Sequence, residues 1–156
     1  MEDLKWNFET NPNPRAYGLN IEFIPANDAL AAFITNVGLS EKQYPEFIES
    51  VIYSTQFANQ YSSFMSFNLL DEQDKDQIKE IGGIKEGEVY IRDILMDYEC
   101  VISEKLFAQI AFDYGSKLLE VRRNYLDDHR LPYNWVSAME EALKRLKQKY
   151  PISKIV

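Results

Sequence analysis

The sequence predicts an α+β domain, with four or five helices packed on a small antiparallel sheet. Three observations carry that expectation. Leu4, Trp6 and Phe8 alternate with polar neighbours, as do Tyr17, Leu19, Ile21 and Phe23, and such period-2 alternation marks half-buried strands. Residues 103–126 instead repeat apolar side chains at three- and four-residue steps, through Phe107, Ile110, Ala111, Tyr114, Leu118, Val121 and Tyr125. Trp135, Met139, Ala142, Leu143, Leu146 and Tyr150 do the same over 134–150. With 156 residues, 46% of them apolar and 13% aromatic, the chain can bury one proper core, so residues 1–156 are expected to form a single domain.

Taken in order, the first two strands form an antiparallel pair joined by the Pro-rich run 10–16, where Pro12 and Pro14 donate no ladder hydrogen bonds. Pro25 ends the second strand. Asn27 or Asp28 then caps a short helix that ends near Val37, with Gly38 as a left-handed stop. Ser40 and Gln43 have capping-box spacing, but Pro45 is not tolerated five residues into a helix. The next helix therefore starts near Pro45, after a turn over 40–44. It is expected to run to about Phe67, with Phe47, Val51, Ala58 and Met65 on one track and Tyr53, Phe57, Tyr61 and Phe64 on another. The Tyr-bearing track suits either a core or a half-wet partner groove.

Asp71 opens a short acidic helix anchored by Ile78 and Ile81, and Gly82, Gly83 and Gly87 follow it. Residues 88–102 are rich in Val, Tyr and Ile and read as one or two strands, with Tyr98, Cys100 and Ile102 facing one way, although Ile91, Ile94, Leu95 and Tyr98 also suit a helix. Ser103 caps the central helix, whose apolar stripe covers more than half the cylinder and calls for cover on two sides. Lys105, Gln109, Asp113, Ser116, Glu120 and Arg123 are left for water. Residues 127–130 make a polar turn. In the terminal helix Glu140 and Glu141 precede Lys144 and Arg145 by four residues, and its basic end complements the helix dipole.

The net charge is −8, distributed unevenly: residues 1–70 carry −5, residues 71–102 carry −6 and residues 103–156 carry +3. Such a surface disfavours nucleic acid and anionic membrane and favours a basic protein partner. The lone Cys100 cannot form an internal disulfide and fits a reducing compartment. MEDLKWNF lacks the basic and apolar regions of a signal peptide, and the uncharged run 50–70 holds five Ser, two Gln and two Asn, too polar for a membrane span. A cytoplasmic protein is expected.

The sequence carries no recognisable catalytic motif. His129 is the sole histidine and sits in a turn sequence, and one His with one Cys cannot make a zinc site. Around Asp71, Asp74 and Asp76, Gln73 and Lys75 fall at the ligand positions of a calcium loop, and the required glycine is missing. There is no GxxxxGKS/T, GxGxxG or GxSxG run. Cys100 in an apolar stretch reads as a small hydrophobe. No spacing singles out a carboxylate pair among 25 acids. No catalytic residue, cofactor or metal ligand is assigned, and a binding protein rather than an enzyme is expected. An adaptor module using the Tyr53–Phe64 track and a carboxylate-based enzyme stay open as alternatives.

The run GEVYIRDILMDYECVISEKLFAQIAFDYG over 87–115, followed by Leu131-Pro132-Tyr133-Asn134-Trp135, resembles bacterial immunity proteins of the contact-dependent growth inhibition and polymorphic toxin type. It covers less than a third of the chain and brings no residue assignments with it. The resemblance implies binding to a toxin domain, often a basic nuclease, and neutralising it. From the charge distribution, Asp71, Glu72, Asp74, Asp76, Asp97 and Glu99 are the candidate partner-binding residues.

Overall fold

The structure, a computed structural model, describes residues 3–8 and 15–152. Among these residues the architecture is α+β: five α-helices and two antiparallel sheets, one of two strands and one of four. Strands β1 (Lys5–Phe8) and β2 (Ile21–Ile24) pair antiparallel, with Trp6 opposite Phe23. Tyr17 and Leu19, expected in the second strand, precede it, and the Pro-rich residues 10–14 lie outside the described part. Helix α1 (Asp28–Leu39) is capped by Asn27, whose side chain accepts from the Leu30 amide.

Gly38 is no left-handed stop but the penultimate residue of α1. Its role is close approach. A Cβ there would lie 2.0 Å from the Tyr114 hydroxyl oxygen, which accepts from the Leu19 amide at 2.8 Å. The Ser40 side chain makes no capping hydrogen bond, and a short 3-10 turn over Glu41–Gln43 leads into α2 (Tyr44–Ile52), with Pro45 in its first turn as expected.

The long helix expected to reach Phe67 stops at Ile52. Ser54 takes a positive φ of 52°, and the chain turns into a hairpin of β3 (Gln56–Ala58) and β4 (Ser62–Ser66). The serines that made this run too polar for a membrane also alternate: Ser62, Phe64 and Ser66 face inward and pack under α1. In this segment the strand period wins over the helix period. The supposed Tyr track is thereby dismantled, because Phe57 and Phe64 join the core whereas Tyr53 and Tyr61 are exposed on separate elements.

Helix α3 (Glu72–Ile78) and its 3-10 extension over Lys79–Ile81 bury Ile78 and leave Ile81 exposed. Gly82 ends it with a φ of 110°, a conformation that suits glycine. Residues 88–102 form two strands and the turn between them rather than a helix: β5 (Glu88–Asp93) and β6 (Tyr98–Ser103) complete the order β3-β4-β5-β6. Tyr98, Cys100 and Ile102 share the face that opposes Asp93, Ile91 and Val89.

Helix α4 (Glu104–Arg122) is the core helix, with Ser103 accepting from the Leu106 amide at its start. Phe33, Phe47, Phe64 and Phe107, from α1, α2, β4 and α4, pack so that all six ring pairs lie 4.9–6.0 Å apart. Such pairs contribute about 0.5–1.5 kcal/mol each beyond their burial.

Helix α5 (Trp135–Lys149) packs on α2 and α4 through the apolar face read from the sequence. Its charges do not form the expected internal pairs. Glu140 meets Arg123 at 3.0 Å, Arg145 meets Glu49 of α2 at 3.3 Å, and Lys149 donates to the Ile52 carbonyl at the α2 C-terminus. Neighbouring helices bring these partners closer than the next turn of α5 does. No helix among the described residues is long and apolar enough to cross a membrane.

Candidate functional site

The six candidate acids fall into two groups. Asp71 is the N-cap of α3, its carboxylate accepting from the Asp74 amide at 2.7 Å. Glu72 and Asp76 point outward, 3.8 Å from Lys75 and 2.9 Å from Lys79, and the Asp76 carboxylate raises the Lys79 ammonium pKa. Asp74 is half-buried. Five acids and two lysines lie between Asp71 and Ile81, so α3 stays negative after its internal pairing.

The second group lies on the hairpin of β5 and β6. Asp97, in the turn at a φ of 56°, sits 3.5 Å from Arg92. Glu99 stands opposite Arg92 in register and accepts from the Tyr90 hydroxyl. Partial burial and the adjacent Glu99 carboxylate raise the Tyr90 phenol above its ordinary range. The two groups sit on segments that leave opposite ends of the β4–β5 pairing. The segment carrying α3 leaves β4 at Ser66, opposite Val89, whereas the hairpin turn lies beyond the Ser62–Asp93 pair. Four strand steps, about 13 Å at 3.3 Å per residue, separate those ends.

The residues that sequence reasoning missed form a buried ionic cluster. Glu41, Arg122 and His129 are all buried. Glu41 Oε1 accepts from Arg122 Nε at 2.9 Å and from the Gly18 amide at 2.8 Å, and Glu41 Oε2 lies 3.5 Å from His129 Nδ1. Arg122 also donates to the Ala16 and Gly18 carbonyls, and Trp135 Nε1 donates to the Glu41 carbonyl at 2.9 Å. Tyr17 sits edge-on to His129 at 5.1 Å.

The polar turn expected around His129 is present. Residues Asp127–His129 do form a 3-10 turn, but the imidazole faces inward. The three residues are 81 and 7 positions apart along the chain, so no local pattern announces them. A pocket of about 220 Å³ opens beside Tyr17, Glu41, Lys42, His129 and Leu131. Its carboxylate is engaged by Arg122 and the Gly18 amide, and the cluster ties the ends of α1 and α4 to the loop before β2.

Asp113, expected in water, is also buried, and accepts from Trp6 Nε1 at 2.8 Å and from Gln109 at 2.7 Å. Burial raises its carboxyl pKa, opposed by those two donors. Burial pushes the Cys100 thiol up to about 11, with the Asn27 side chain acting in the other direction, so it is a poor nucleophile at neutral pH. Among the described residues no group of three or more His, Cys, Asp or Glu can hold a metal ion. Compared with known protein families, curated proteins and solved structures, the chain matches none.

Proposed function

We propose that the chain is a binding protein that neutralises a basic toxin domain, in the manner of the bacterial immunity proteins its sequence resembles. The observation that carries this reading is the excess of outward carboxylates on α3, an element that gives the core only Ile78. A helix that buries so little can devote its surface to a partner. An acidic surface of this kind attracts the positive face of a nuclease and can occupy the track where phosphates would run.

The carboxylates held by Lys75, Lys79 and Arg92 suit long-range steering, since such surface pairs are weak and exchange readily for a partner's cations. The reading is binding without turnover. Titration of the purified protein into the C-terminal domain of the protein encoded immediately upstream tests it. A stoichiometric complex, with loss of that domain's toxicity on co-expression, is the expected result. An absence of binding contradicts it.

A further inference from the structure

We propose that the turn between β5 and β6 is the apolar anchor of this contact: Ile94, Leu95 and Met96 enter a non-polar pocket of the basic partner, and a lysine or arginine on the pocket's rim faces Asp97 and Glu99. The inference rests on the partner-binding reading above.

Ile94, Leu95 and Met96 are 60%, 65% and 58% exposed, in succession, at the tip of a hairpin. A turn that only reverses the chain is best made from Gly, Asn and Asp, and three consecutive exposed apolar side chains are a feature that folding alone does not select. The tip is also held in shape from inside the protein. Asn36 of α1 donates to Ser62 Oγ at 2.7 Å, and Ser62 donates to the buried Asp93 at 3.0 Å. The second Asp93 oxygen accepts the Met96 amide at 3.1 Å, and the Ile94 amide donates to the Tyr61 carbonyl at 2.8 Å.

A buried carboxylate is thus spent on fixing a turn whose side chains point into water. Fixing a surface before contact lowers the ordering cost of binding. The tip lies beyond the last β5–β6 pair and beside the Tyr61 carbonyl it donates to, and its three exposed side chains together fit a non-polar concavity. The charged flank of the tip holds Asp97 and Glu99 against the single Arg92, on a chain of net charge −8, so the rim of that concavity is basic.

The two acidic groups then divide the work. The α3 acids speed the encounter and the tip holds the complex. Surface-binding kinetics against the upstream-encoded C-terminal domain test this, using Leu95→Ser and a variant with Ile94, Leu95 and Met96 all changed to Ser. These positions are solvent-exposed, and thermal unfolding monitors the fold. The expected result is dissociation faster by about tenfold or more, with association within about twofold, as for loss of a central anchor. Wild-type binding with unchanged dissociation of both variants overturns the anchor and leaves the binding reading intact. Failure of the wild type to bind overturns both. A wild-type dimer in sedimentation velocity that Leu95→Ser converts to monomer overturns the inference by making a second copy the occupant.

Discussion

Glu41 Oε1 and Arg122 Nε meet 2.9 Å apart in the interior, across 81 residues of chain, with both side chains almost wholly excluded from water. Such a pair need not add much stability over an apolar one, but removing one member strands the other. Glu41→Gln removes the buried negative charge that faces Arg122 and is expected to destabilise the protein by about 3–5 kcal/mol. Urea unfolding of the two forms measures this, and an unchanged midpoint would contradict the assigned cost.

The aromatic cluster sets a second expectation. Phe107 touches three other phenylalanine rings and Leu118 is fully buried on the same helix. Phe107→Ala or Leu118→Ala is expected to cost about 2–5 kcal/mol, through lost burial and the cavity left behind. Surface changes such as Glu120→Gln should fall within about 0.5 kcal/mol of wild type. Denaturant midpoints that fail to separate the two kinds of substitution would misplace the core.

Asp113 gives a pH expectation whose sign is fixed by its surroundings. Burial raises its folded-state pKa above 3.8, so the folded protein holds this proton more tightly than the unfolded chain. Its contribution to stability is therefore most favourable below pH 3.8 and declines as pH rises through the raised folded value. Asp113→Asn removes the titration while keeping an acceptor for Trp6. The stability of Asp113→Asn relative to wild type should increase as pH rises across that window, measured by urea unfolding at several pH values. A difference that stays flat with pH would contradict the assigned direction.

The fold class was legible because most elements obey one period throughout. The stripes of α4, as far as Val121, and of α5 and the alternation in β1 and β6 emerge at the positions expected, whereas Tyr125 and Leu126 lie beyond the end of α4. The failure over 53–67 has a local cause. Phe57, Tyr61 and Phe64 have helical spacing by coincidence, while Ser54 and the tight link over 59–61 reverse the chain twice. Gly38 was misread because its reason is the Tyr114 hydroxyl, 76 residues away, which no window of sequence reveals. The same holds for Glu41, Arg122 and His129, each polar and unremarkable in its own segment. The acids of the candidate site were legible as a charge excess, but their division between α3 and the hairpin depends on strand pairing.

The central claim is that these acids recognise a basic partner, and association kinetics test it most directly. The form carrying Asp71→Asn, Glu72→Gln, Asp74→Asn, Asp76→Asn, Asp97→Asn and Glu99→Gln keeps an Asn N-cap on α3 and loses the six negative charges. Both forms are measured against the upstream-encoded C-terminal domain at about 0.01 M and about 1 M salt, where the screening length falls from about 30 Å to about 3 Å. Slower association of the neutralised form at low salt, with a gap that closes at high salt, is the expected result. Identical association rates for the two forms at both salt concentrations would contradict it.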